Sequence, residues 1–237
     1  MRWSRKMHDL LKKAVFAATV GSLALAADYA EAIRTYNTWS SNESPNGNYI
    51  LTITDTGDTN LFNWNLTVNP WNAEALGLFV DLGDVDIPIP ASVSLTNVVP
   101  AGKVVVYATD TTSDACGEGC NLNGLSLPSL VGGDWELVFS LAGQGYDGIQ
   151  TFSWTTPDFG LAEAAFGVVG IRAQQLCPAG TTLTLNSATG CGGSDKAWGN
   201  PVPITPAPDP NGVPEPGVLM LLGAGLIGLT ALRRRRT

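Results

Sequence analysis

Three segments between Asn48 and Leu82 alternate apolar and polar side chains with a period of two, and few folds are open to a chain patterned this way. Asn48-Tyr-Ile-Leu-Thr-Ile-Thr54 is followed, after Asp55-Thr-Gly-Asp58, by Leu61-Phe-Asn-Trp-Asn-Leu-Thr-Val68 and then by Leu76-Gly-Leu-Phe-Val-Asp-Leu82. Successive side chains of a strand point to opposite faces, so the alternation sets one face against a core and the other in water. Asp55-Thr-Gly-Asp58 suits a hairpin turn, and the three segments together read as a meander. Five further stretches have strand character: Ala91 to Val99, Lys103 to Thr109, Trp135 to Leu141, Ile149 to Thr155 and Phe166 to Ala173, set apart by Gly, Asn, Asp and Pro. Only Leu161-Ala-Glu-Ala-Ala-Phe166 invites a short helix. The expectation is an all-β domain over residues 33–200, a single antiparallel β-sandwich of Ig-like or jelly-roll type, large enough to fold on its own core.

The two ends of the chain are of another kind. Arg2, Arg5, Lys6, Lys12 and Lys13 precede an apolar stretch from Ala14 to Ala27, the layout of a secretory signal peptide over residues 1–32 with its signal helix. Ala24-Leu-Ala26 and Ala30-Glu-Ala32 both offer the small-x-small pattern of a cleavage site, so the cut is expected after Ala26 or after Ala32. At the other end, Pro201, Pro203, Pro206, Pro208 and Pro210 mark residues 201–213 as an extended linker. Beyond it lie Val213-Pro-Glu-Pro216, an apolar run from Gly217 to Leu232 and the cluster Arg233, Arg234, Arg235 and Arg236.

Sixteen apolar residues at the helical rise span roughly 24 Å, short of the roughly 30 Å hydrocarbon core of a bilayer. Residues 217–232 therefore form a short transmembrane helix that crosses only with help from arginine stems reaching to the interface or from local thinning. The positive-inside rule keeps Arg233–Arg236 in the cytoplasm as the membrane stop and sends the chain before Gly217 to the far side. The order Val213-Pro214-Glu215-Pro216, apolar Leu/Gly/Ala-rich helix, arginine cluster resembles the PEP-CTERM sorting signal of Gram-negative bacteria, covering residues 214–237, about a tenth of the chain. That resemblance implies recognition by an exosortase, cleavage near Pro214-Glu215-Pro216, a transient membrane anchor, and delivery to the cell surface or outside the cell. It also implies a setting of exopolysaccharide production and biofilm formation.

Charge and composition limit what the body can do. Nine of the 13 basic residues lie in the two ends, leaving Arg34, Lys103, Arg172 and Lys196 against 18 acidic residues between Ile33 and Glu215, a net charge of about −14. A body this acidic excludes nucleic acid as a partner, since phosphates need Lys and Arg to neutralise them. The single histidine, His8, lies in the signal region, so Ser-His-Asp and Cys-His catalysis and histidine-based metal sites are excluded for the body. No Gly-x-Ser-x-Gly motif is present.

Four cysteines in an exported chain favour two disulfides. The local pairing of Cys116 with Cys120 and Cys177 with Cys191 is favoured, because Gly117, Gly119, Gly190, Gly192 and Gly193 let the chain turn tightly between the partners. The spacing lacks the paired short knuckles of a four-cysteine zinc site. Asp81, Asp84 and Asp86, and Asp110, Asp114 and Glu118, gather hard oxygen donors of the type calcium takes, without the EF-hand spacing; solvated turn carboxylates are the plainer reading. Trp64, Trp135 and Trp154 belong to alternating strands and should be core, whereas Trp71 and Trp198 stand in apparent loops as candidate exposed rings for stacking on sugars. A glycosidase needs two carboxylates at a set separation, and the sequence selects no such pair. The expectation is a non-enzymatic, structural or adhesive surface protein without a cofactor. A carbohydrate- or calcium-binding module, and behind it a histidine-independent glycan hydrolase or lyase, are the alternatives, with exopolysaccharide as the partner in question.

Overall fold

The computed structural model describes residues 32–55, 60–162 and 165–202. The signal peptide, the 56–59 turn, residues 203–213 of the linker and the whole sorting tail lie outside the described residues. So do Glu163 and Ala164, in the middle of the expected helix.

The described residues are all-β. Thirteen strands run in the order β1 (Ala32–Tyr36), β2 (Ser40–Ser41), β3 (Tyr49–Asp55), β4 (Leu61–Val68), β5 (Glu74–Val80), β6 (Thr96–Val99), β7 (Val104–Thr111), β8 (Ala115–Gly117), β9 (Cys120–Asn121), β10 (Trp135–Leu141), β11 (Thr151–Pro157), β12 (Val169–Gln174) and β13 (Ser194–Gly199). They form a five-stranded sheet of order β1-β3-β4-β11-β6, a six-stranded sheet of order β2-β13-β12-β5-β10-β7, and the small β8-β9 hairpin, with antiparallel pairing throughout.

β3 and β4 pair as the alternation required, with Tyr49 opposite Val68 and Asp55 opposite Phe62. The meander ends there. β5 leaves for the other sheet, where it lies between β12 and β10. Its sequence, Glu-Ala-Leu-Gly-Leu-Phe-Val, is buried at every position, so it could not have served as a half-solvated neighbour of β4; only a central strand covered on both faces accommodates it. The stretch Ala91 to Val99 also divides, into a 3-10 turn at Pro90–Ser92 followed by the four-residue β6.

The two larger sheets share one apolar cluster. Leu51, Ile53, Phe62, Trp64, Leu66, Phe152 and Trp154 enter it from the first sheet, and Leu78, Val80, Leu137, Phe139, Val169 and Ile171 from the second. At its centre the rings of Trp64 and Trp154 stack, centroids 5.6 Å apart and planes 8° from parallel, with Phe139 of the other sheet 5.3 Å from Trp64. Aromatic contacts of this type add to the area they bury. The Trp64 indole N–H is satisfied within the same sheet, donating to Thr156 Oγ1 at 2.9 Å.

The outer side of the six-stranded sheet carries a second cluster, made of Leu76, Phe79, Leu122, Trp135, Val138, Val168 and the Cys116–Cys120 disulfide. A bulge makes room for it. Arg172 of β12 faces Gly77 while Ala173 faces Ala75, so Leu76 is the extra residue of β5, and the kink turns Leu76 outward beside Gly77. A Cβ on Gly77 would lie 2.4 Å from Cys116 Sγ and 2.7 Å from Cys120 Sγ, so the disulfide rests on bare backbone.

Candidate functional site

Four acidic residues of the body lie inside the fold. Asp81, Glu74, Glu136 and Asp195 are buried, and each is held by hydrogen-bond donors of the fold. Asp195 accepts from the Gly47 N–H at 2.8 Å, from the Tyr49 hydroxyl at 2.7 Å and from the Ser41 hydroxyl, joining β13 to the 41–49 segment. Burial, and then the Asp195 charge, raise the Tyr49 hydroxyl well above its ordinary pKa. Glu136 accepts the Leu82 N–H at 2.5 Å; burial pushes its carboxyl up to about 8, against the pull of that hydrogen bond. Glu74 accepts from the N–H groups of Asp147 and Gly148 at 2.5 and 3.2 Å, and burial with the facing Asp147 carboxyl raises it to about 7. Asp147 has its own counter-ion in Lys103, 3.6 Å away.

Of the residues singled out for calcium, Asp81 is buried and accepts from the Gly83 and Val131 N–H groups at 2.9 and 3.2 Å. Asp110 caps the Ile87 N–H at 3.0 Å, and Asp114 accepts the Trp135 indole N–H at 3.0 Å. Asp84, Asp86 and Glu118 are exposed. Among the described residues no three His, Cys, Asp or Glu side chains come together in a way that could hold a metal ion.

The cysteines are joined Cys116 to Cys120 and Cys177 to Cys191, and none of the four is free. The tryptophans proposed as exposed rings are placed otherwise. Trp71 is buried at 6 % exposure and lies over Tyr146 with centroids 6.2 Å apart. Trp198 is half-buried on β13 and packs on the outer cluster. Pro70 and Gly199 beside them give both a loop-like sequence, yet their neighbours in the fold bury them. The ring that does border a cavity is Trp39, half-buried between β1 and β2, its indole N–H fixed on Tyr49 O at 2.8 Å.

That cavity holds about 280 Å³ and is lined by Asn37, Trp39, Asn46, Asn48, Ile50 and Asn69 together with Gly47 and Tyr49. No acid lines it. Two other cavities border the disulfides, each with one acid: Glu118 beside Cys116–Cys120, and Glu43 beside Cys177–Cys191. None of the three presents the two carboxylates that hydrolysis of a glycosidic bond ordinarily employs.

The family comparison decides the question of the tail. Residues 212–236 match the model of the PEP-CTERM protein-sorting motif. The chain therefore carries a PEP-CTERM sorting tail. The matched range takes in Val213-Pro214-Glu215-Pro216, the apolar run from Gly217 and the arginines Arg233–Arg236. The motif marks an exported protein processed by an exosortase. No curated protein and no solved structure matches the chain.

Proposed function

We propose that the PEP-CTERM tail delivers a sandwich of two antiparallel sheets to the cell surface or the extracellular matrix, where it serves a structural or adhesive role and catalyses no reaction. The observation that carries the delivery is the match over residues 212–236. The non-catalytic reading rests on what the reactive groups do. The described body has no histidine, and each of its four buried carboxyl groups accepts from backbone N–H groups or hydroxyls of the fold, Glu74 through one oxygen only. Groups committed in this way hold the fold together, and no cofactor is needed for them to do so.

The two disulfides suit the same setting, since an oxidising compartment preserves them and a thiol-reducing cytosol does not. Replacing Pro214, Glu215 and Pro216 by alanine in the producing cell tests the delivery. Full-length protein should then accumulate in the inner membrane; a variant that is still trimmed and still reaches the surface overturns the reading.

A further inference from the structure

We propose that the outer face of the five-stranded sheet, continued into the amide-lined cavity at its end, is a docking surface for a neutral polysaccharide. Three of the rows of side chains that the strand registers set across this face are polar, and a fourth, at its end, pairs Leu61 with Pro157. One runs Thr35, Thr52, Asn65, Ser153 and Val99; the next runs Ile33, Thr54, Asn63, Thr155 and Thr96; the third runs Ile50, Thr67 and Thr151. Ten of these thirteen positions hold a hydroxyl or an amide, none holds a charge, and all but the buried Thr155 are at least partly exposed. In a body that carries about 14 negative charges in excess, a charge-free sheet face is a selective feature. Acidic side chains would be the cheapest way to solvate an exposed sheet, and here they are absent.

The face has its own order. Thr67 and Thr151 share a hydrogen bond of 3.0 Å across β4 and β11, and Thr155 donates to Asn63 at 2.9 Å while it accepts from Asn97 at 3.3 Å. The two exposed asparagines of β4, Asn63 and Asn65, stand on one side of the strand, two residues apart. Ile50 is the link to the cavity: it lies opposite Thr67 in the third row and also lines the cavity with Asn37, Asn46, Asn48, Asn69 and Trp39. The cavity wall is fixed from behind by Asp195, which holds both Gly47 and Tyr49.

The partner follows from the chemistry. A sugar hydroxyl donates one hydrogen bond and accepts others, and the amide and hydroxyl side chains are those that can answer in both senses without a net charge. Trp39 adds an aromatic ring to the cavity lining, of the residue type whose face packs on the C–H groups of a pyranose. A polyanion would meet no cation on this face and would be repelled by the body around it. Polar groups stand about 4.8 Å apart along each row, from strand to strand, and the rows lie about 6.6 Å apart along the strands, regular intervals that a polymer of repeating units can match along its length.

This inference rests on the surface role proposed above, but its test does not. The full chain, purified in mild detergent with its disulfides formed, is sedimented with insoluble cellulose, with mannan-coated beads and with alginate beads. Retention on at least one neutral polymer is expected, with little on alginate. Asn65→Glu on the face and Asn37→Ala at the cavity should each raise the half-saturating polymer concentration at least fivefold. Tyr107→Glu, on β7 of the other sheet, should bind as the parent does, and the thermal midpoint of each variant shows that it is folded. Absence of retention on both neutral polymers, tighter retention on alginate, or equal loss in Tyr107→Glu overturns the proposal. A failure of tail processing would be seen in cells and leaves these binding results unchanged.

Discussion

Gly77 lies directly beneath Cys116: a side chain of even one carbon there would come within 2.4 Å of the sulfur. The glycine and the disulfide are a single packing unit, brought together by the Leu76 bulge and sealed by Phe79, Leu122 and Trp135. Overpacking of a tight site costs on the order of 1–3 kcal/mol. Gly77→Ala should therefore lower the unfolding free energy from urea titration by an amount in that range, and the loss should shrink when Cys116 and Cys120 are both alanine, because the two sulfurs are then gone and only the Cβ at position 116, 2.8 Å away, remains in the way. Equal losses in the two backgrounds would show that the glycine serves some other need.

The second disulfide holds a longer segment. Cys177 and Cys191 are 14 residues apart, and closing a loop of that size contributes about 3 kcal/mol by the chain-entropy account. Replacing both by serine should cost about 2–4 kcal/mol in chemical denaturation, against a smaller change for the four-residue Cys116–Cys120 loop. The comparison of the two pairs is the measurement; a larger loss from the shorter loop would contradict it.

Glu136 gives the fold a pH signature. Its folded-state pKa of about 8 lies above its ordinary value of 4.5, because burial disfavours the charged form. Between these values the folded protein binds more protons than the unfolded one, so this residue's contribution falls as pH rises through the window and is fully favourable only below it. Thermal unfolding of Glu136→Gln, whose amide oxygen can still accept from Leu82, should show a midpoint that declines less between pH 5 and pH 8 than that of the parent. The difference at pH 8 should be several degrees, on the order of a few kcal/mol. Parallel profiles would place the proton elsewhere.

How much of this was legible in the sequence depends on what each strand faces. β3, β4 and β10 were legible because water on one side leaves a period-two imprint, or because the apolar run is short and bounded. The placement of β5 was not, since a strand covered on both faces reads the same whichever sheet it joins. β13 was missed for a different reason. Ser-Asp-Lys-Ala-Trp-Gly does alternate in burial, but one of its inward residues is Asp195, and only the distant Ser41, Gly47 and Tyr49 make that position tolerable. The pairing of the cysteines could be argued from local glycines. The burial of Trp71 could not, because Tyr146 reaches it from 75 residues away in sequence. The uncharged outer face was present in the strand sequences all along, as the polar half of each alternation, but its rows exist only once the registers are known.

The fate of the tail is the most direct test of delivery by the sorting motif. Mass spectrometry of the C-terminal peptide of the protein recovered from the cell surface should find a terminus at or near Pro214-Glu215-Pro216, without the apolar run from Gly217 and without Arg233–Arg236. A surface-recovered protein whose last peptide still ends in Arg236-Thr237 would contradict it.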